Sequence, residues 1–259
     1  MVDRNSRREK DLDLIKEHWE KEETVSLKDR NLKELERLAI VKWLEKLEGK
    51  ALADIGCGDA SDTLYYCDYI EDVWGFDYSK SMLRKAKEIT KGKVKLARFD
   101  IIKEDLENKF DIITTKRCLI NLGNFNNQKN SIQKIHDSLN PGGYYIMLEC
   151  SMDGLLNLNT MRQQLNLEHI SEPFHDVYFD MNNLTQFLKN LFHVESLETF
   201  STYYFLTRIY NHLLDIDEKK LHEYDSIAKK MHQNLSVFGS HILGPQFLYV
   251  LRKKSGGAP

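Results

Sequence analysis

The sequence predicts an α/β fold on a doubly wound, mostly parallel sheet with helices on both faces. Three observations carry that prediction. Short apolar runs alternate with helix-period segments from about residue 45 to residue 150, a glycine turn (Gly56-Cys57-Gly58) follows the first run, and an acid, Asp77, ends the second. Strand, helix, strand in succession implies right-handed crossovers and parallel pairing.

The elements follow in order. Residues 1–24 are mostly charged, after which Leu27, Leu32, Leu35, Leu38, Val41 and Leu44 recur at spacings near three and four. That is the stripe of an amphipathic helix, so residues 1–44 form an N-terminal helical cap. "ALADI" reads as a strand, a helix passes through Tyr65 and Tyr66, "DVWGFD" is a strand and "SKSMLRKAKEI" a helix. "VKLARFD" and "FDIITT" are strands, and a helix carries Ile132, Ile135 and Leu139. Pro141, Gly142 and Gly143 stop that helix before a buried strand from Tyr144 to Cys150.

Beyond this point "MDGLLNLNTMRQQLNL" is a helix, "SEPFHDVYFD" a loop, "MNNLTQFLKNL" a helix and "FHVESLETF" a strand. Tyr203 to about Val237 is largely helical, and "PQFLYVLRK" is the final strand. The two late strands are expected to pair antiparallel at the sheet edge. Residues 45–259 thus read as one domain with helical lid insertions at about 151–181 and 201–240, the second hanging over the active face. "SGGAP" is set aside as a tail.

With 259 residues and 41% apolar content, the chain can bury a full core. Its 37 Lys and Arg against 40 Asp and Glu give no net field of the kind nucleic-acid binders carry. The charged start lacks the apolar core of a signal peptide, and no window approaches the roughly twenty apolar residues of a membrane span. A soluble, cytoplasmic chain without a membrane partner is therefore expected. Cys57, Cys67, Cys118 and Cys150 form no C-x-x-C pair, and the nine histidines show no H-E-x-x-H spacing. Neither a disulfide framework nor a bound metal is expected.

At the end of the first strand, Gly56 can take backbone angles closed to other residues, and Gly58 lets a ligand approach bare main chain. Ala60 fills the third small position, where the next helix must lie close. Asp77 stands nineteen residues beyond Gly58, where a carboxylate could accept bonds from two ribose hydroxyls. Dinucleotides and S-adenosyl-methionine are both bound this way. A pyrophosphate wants a bare helix N-terminus, whereas Asp54 and Asp59 bracket this turn with negative charge, which suits a sulfonium or ammonium.

Five motifs in order, "LADIGCGDA", "WGFDYSKSML", "ARFDI", "FDIITTKRCLINL" and "LNPGGYYIM", resemble those of the class I S-adenosyl-methionine-dependent methyltransferases over about residues 45–150. The resemblance implies a Rossmann-like seven-stranded sheet whose last strand is reversed. It also implies S-adenosyl-L-methionine as methyl donor and S-adenosyl-L-homocysteine as product. By position, Asp54 and the turn of Gly56, Cys57 and Gly58 would face the methionine moiety and Asp77 the ribose. Tyr78 and Met82 would surround the adenine, Asp100 and Ile101 would meet its amino group and ring, and Lys116 would line the methionine end. Read without the resemblance, Met82 is ordinary core packing, Lys116 a solvated loop lysine and Asp59 a helix N-cap.

Candidates for the acceptor side lie further along. His175, with Asp176 and Tyr178 behind Pro173, is a candidate general base or acceptor-binding group, against the reading of an ordinary loop histidine. Arg117 could hold a carboxylate or phosphate beside Asn121, or form a buried salt bridge. Tyr203 and Tyr204 with Arg208 could wall a sugar or aromatic acceptor, or simply fill a core. The layout resembles bacterial small-molecule methyltransferases, including ones acting on saccharides or their phosphate-bearing precursors, so the expected acceptor is an oxygen or nitrogen of a small molecule. Methylation of RNA or protein, and a non-catalytic cofactor-binding regulatory relative, stand as alternatives. Oligomeric state is left open.

Overall fold

The computed structural model describes residues 9–21, 23–24, 27–214, 218–235, 238 and 241–254; the "SGGAP" tail lies outside them, as does Val237. The strands are Ala51–Ile55 (β1), Asp72–Asp77 (β2), Lys95–Arg98 (β3), Phe110–Lys116 (β4), Leu139–Cys150 (β5), Phe192–Thr199 (β6) and Gln246–Lys253 (β7). They form one seven-stranded sheet in the order β3-β2-β1-β4-β5-β7-β6. The first five pair in parallel. β7 is antiparallel to both β5 and β6, so the reversed strand is the last in sequence but not the edge.

Strand alternation sorts the core into two layers. Ala53, Ile113, Met147 and Tyr249 point to the face covered by Phe125–Ser138 (α5) and Met181–Leu191 (α7). Leu52, Ile112, Ile146 and Leu248, one residue out of phase, point to the face covered by Arg30–Leu44 (α2) and Thr63–Tyr66 (α3). Period-two burial on both faces is what a doubly covered parallel sheet requires. Lys80–Thr90 (α4) packs on β2 and β3, and Met152–Gln164 (α6) follows β5.

Four expectations need correction. The charged start contains a helix, Leu12–Glu20 (α1), capped by the Asp11 carboxylate on the Asp13 and Leu14 N–H groups. Its signal, Leu12, Ile15 and Trp19, is one turn too short to stand out among its charges. The helix through Tyr65 and Tyr66 is a single turn. Residues 139–143 continue β5 through a register shift at Phe110/Ile112, in place of a separate turn.

The segment after β6 is the fourth. It forms Ser201–Phe205 (α8), a π-helical stretch Leu206–Tyr210, Asn211–Leu213 (α9) and Glu218–Asn234 (α10). The segment is helical as expected, but it does not hang over the active face: α10 packs onto α2, with Lys229 paired to Glu34 at 2.7 Å, α8 and the π-helical stretch pack on α10, and together they add to the core of that face. Among the described residues no helix is long and apolar enough to cross a membrane.

Candidate functional site

The strand order reverses between β1 and β4, and the loops leaving the two strands diverge there, opening a crevice at their carboxyl ends. A cavity of about 260 Å³ occupies this position. Its floor is the Gly56–Cys57–Gly58 turn. Asp77, Tyr78 and Met82 line one side, Phe99, Asp100 and Ile101 the far end, and Lys116, Arg117 and Asn121 the near end.

The glycine turn is held by backbone. The Gly56 and Cys57 N–H groups donate to the Phe76 carbonyl at 2.7 and 3.0 Å. Gly56 has φ +75°, and a Cβ on it would lie 2.5 Å from Cys118 Sγ, so no larger residue fits. Gly58 has φ +56°, and a Cβ there would meet nothing within 4 Å, so its main chain faces open space. Its N–H donates to Asp77 Oδ2 at 2.9 Å, and the Ser79 N–H donates to Oδ1 at 2.8 Å. Burial pushes the Asp77 carboxyl up to about 6, against the pull of these two N–H bonds. Each oxygen keeps acceptor capacity for a group inside the cavity.

The end of β4 is strained and heavily supported. Arg117 has φ +51°, a left-handed conformation that costs a bulky residue about 1–3 kcal/mol. Its N–H donates to the Leu148 carbonyl at 2.8 Å, and its carbonyl accepts from Asn121 Nδ2 at 2.8 Å. Fully buried Glu149 accepts the N–H groups of Cys118, Leu119 and Ile120 at 3.2, 3.0 and 3.3 Å, capping the turn Leu119–Asn121. Burial pushes Glu149 up to about 7, the three N–H bonds opposing.

Above this turn Arg117 Nη2 lies 3.2 Å from Glu36 Oε2 of α2, and Lys116 pairs with Asp62. Arg117 thus forms the buried salt bridge while still lining the cavity. Burial opposes the charge on Asp62, but the nearby lysines and Arg37 hold its carboxyl below the ordinary value.

α1 straps the cavity. Leu12, Lys16 and Trp19 line it, and Thr24 follows. Glu20 accepts the N–H groups of Lys80 and Ser81, both at 3.2 Å, and so caps α4, where an anion is favoured. Trp19 Nε1 donates to Asn121 Oδ1 at 3.0 Å. Lys16 Nζ reaches Asp100 Oδ2 at 2.5 Å, while Asp100 Oδ1 accepts the Ile102 N–H at 3.1 Å. Sequence reasoning missed these α1 groups because nothing local marks which part of a charged segment returns to the sheet.

Six of the sequence-derived candidates lie outside the cavity lining. Asp54 alternates with the residues that face the α5 layer, so it points toward α3, and its oxygens accept from Thr63 Oγ1 at 2.5 Å and Thr114 Oγ1 at 2.9 Å. His175 stacks on His18 of α1 at 4.6 Å between ring centroids, with Trp19 edge-on at 5.5 Å. Burial and the neighbouring His18 and Lys10 bring it down to about 4, which makes it a weak base. Tyr178 is buried in the α5-side core. Tyr203 donates to Asp29 at 2.8 Å, Arg208 pairs with Asp29 at 2.5 Å, and Tyr204 donates to Gln246. The supposed aromatic wall is packed core, its polar tips already bonded. The rest of the set, namely Gly56, Cys57, Gly58, Asp77, Tyr78, Met82, Asp100, Ile101, Lys116, Arg117 and Asn121, converges on the cavity.

Sheet order, switch-point cavity and glycine turn define a doubly wound α/β class whose crevice lies at the carboxyl ends of the strands. Residues 46–191 match the family model "Methyltransferase domain", and the chain belongs to that family. "Putative methyltransferase 235L" of invertebrate iridescent virus 6 is 28% identical over 168 residues, 58% of this chain and 62% of that protein. The match thus spans about three fifths of that relative's length.

Among solved structures, the N-methyltransferase NodS from Bradyrhizobium japonicum WM9, in complex with S-adenosyl-L-homocysteine, superposes with a TM-score of 0.57 at 12% identity. That alignment covers 93% of this chain and 97% of the other. Magnesium protoporphyrin IX methyltransferase (ChlM) from Synechocystis PCC 6803, with the same bound product, gives 0.57 at 12%, covering 92% and 94%. At these identities the likeness is one of fold.

Proposed function

We propose that the protein transfers a methyl group from S-adenosyl-L-methionine to an oxygen or nitrogen of a small molecule. The observation that carries this reading is the open main chain at Gly58 beside the half-buried Asp77 carboxylate. A Cβ-free cradle next to an acceptor with spare lone pairs fits a nucleoside. Apolar Met82, Phe99 and Ile101 fit its base. When bound, the donor supplies a methyl already activated on a sulfonium.

The chain's own contribution is alignment and dryness. Asp77 would accept the ribose hydroxyls, Tyr78 and Met82 would cover the adenine, and the Gly56–Gly58 main chain with Lys116 would border the methionine end. Trp19 and Leu12 keep water from above. The walls carry lysines and carboxylates but no histidine among the lining residues, and Asp62 sits below the ordinary carboxylate range. That set suits an acceptor needing positioning more than a strong base, such as a neutral amine or a preformed anion. The two solved relatives act, by their names, as an N-methyltransferase and a porphyrin methyltransferase, which supports a small-molecule acceptor.

The test is a donor-consumption screen over saccharides, phosphorylated saccharides, amines and phenols. Turnover with one class fixes the acceptor. Absence of S-adenosyl-L-homocysteine binding would remove the reading.

A further inference from the structure

The near balance of charge over the whole chain hides a local imbalance. Residues 79–98 hold eight Lys and Arg against one acid, Glu88, although acids outnumber these cations 40 to 37 in the full sequence. Four of the eight, Lys80, Arg84, Lys87 and Lys91, recur at spacings of four, three and four along α4 and its C-cap. That spacing sets them on one face of the helix, and all four are exposed. The other side of α4, with Met82, Ala86 and Thr90, is buried. Exposed Arg98 adds a cation beside the start of the helix, donating from Nε to the Tyr78 carbonyl at 3.1 Å.

Helix stability does not account for this stripe. Like charges three and four residues apart destabilise a helix. The helix dipole favours Lys87 and Lys91 near the C-terminus but opposes Lys80 at the first position. Among the described residues no carboxylate forms an ion pair with Lys80, Lys87 or Lys91. Glu88 borders the stripe and Glu20 caps the start of α4, and these two acids offset only part of it. Lysines also guard sheet edges against strand addition, but here that task belongs to the edge strand β3, whose Lys95 lies over Trp74 and pairs with Asp72 at 2.9 Å.

The composition of the face selects its partner. Protein interfaces are built on apolar and aromatic anchors, and a bilayer-binding helix on an apolar face. Ile89 is the one large apolar side chain exposed on α4, whose apolar face is already taken up by the sheet. A run of cations without anchors matches a phosphate backbone, which is held by charge alone. From Lys80 to Lys91 the stripe covers about 16 Å at about 1.5 Å per residue, the rise of about five nucleotides of one strand.

We propose that the Lys80–Lys91 face of α4 binds the sugar-phosphate backbone of a nucleic-acid strand without reading its bases. The inference uses neither the cavity nor the methyl donor, so it stands or falls apart from the function proposed above.

Fluorescence anisotropy of a labelled single-stranded RNA of about 20 nucleotides and mixed sequence, titrated with the full chain at about 50 to 200 mM KCl, tests it. The proteins are wild type, the triple variant Lys80→Gln, Lys87→Gln, Lys91→Gln, and a control with the same loss of charge elsewhere, Lys46→Gln, Lys50→Gln, Lys189→Gln. Wild type should bind, more weakly as salt rises. The α4 variant should bind at least tenfold more weakly, with a log-log salt slope shallower by about 2, since each lost phosphate contact on a single strand removes about 0.7. The control should bind like wild type. Each α4 substitution made singly should lower the slope by about 0.7, which keeps the test valid if the triple variant unfolds in urea more readily than wild type. No binding by wild type, equal binding by the α4 variant, or equal loss in the control overturns the inference. So does binding to phosphatidylserine vesicles in place of RNA.

Discussion

At the scale of single residues, Asp77 joins two strand ends and titrates within reach of neutral pH. With its carboxyl at about 6 in the folded chain and near 4 when unfolded, the stability it contributes is complete below pH 4 and is lost as pH rises through about 6. Ligand binding runs the other way, because hydroxyl donors favour the ionised carboxylate. S-adenosyl-L-homocysteine should therefore bind more tightly as pH rises through 6, releasing about half a proton near pH 6. Calorimetry in buffers of different ionisation enthalpy measures that release, and Asp77→Asn should abolish it. His175 makes the contrasting case. Its ring joins α1 to the loop beside the cavity, so His175→Phe, which keeps the stacking, should keep turnover and its pH profile; a large loss of rate would restore the general-base role.

Among elements, the β4 exit and α1 complete the site. Glu149 holds the exit turn by three N–H bonds at the cost of a buried charge. Its contribution to stability is full below pH 4.5 and falls as pH rises through about 7. The stability advantage of wild type over Glu149→Gln should shrink by about 3 kcal/mol between pH 4 and pH 9, read from urea unfolding at each pH. α1 is docked by Glu20 on the start of α4, so Glu20→Ala should loosen it by about 1 kcal/mol. Trp19 fluorescence would report the loosening, and nucleoside affinity should fall with it; unchanged fluorescence and affinity would mean that α1 docks without the Glu20 cap.

Across the whole molecule, the sheet and the donor side of the cavity were legible because their signals are local. Strand period, the glycines of the turn and the acid ending β2 are each set by neighbours in sequence. The walls that α1 and α2 contribute were less legible, since they come from chain-distant elements. Lys16, Trp19 and Lys33 reach the cavity only because α1 and α2 fold back over the switch point, and Tyr203, Tyr204 and Arg208 leave it because α8 and the π-helical stretch after it pack on α10, which packs on α2. Asp54 shows a third limit: a motif position fixes the strand, while the pleat and Thr63 and Thr114 decide where the carboxylate points. On the proposed function, the switch-point cavity holds a nucleoside methyl donor through Asp77. Calorimetric titration of S-adenosyl-L-homocysteine into wild type and Asp77→Ala tests it most directly. One site per chain in wild type, weakened about tenfold to a hundredfold in the variant, is the predicted result; no binding to wild type, or equal binding to both, would contradict it.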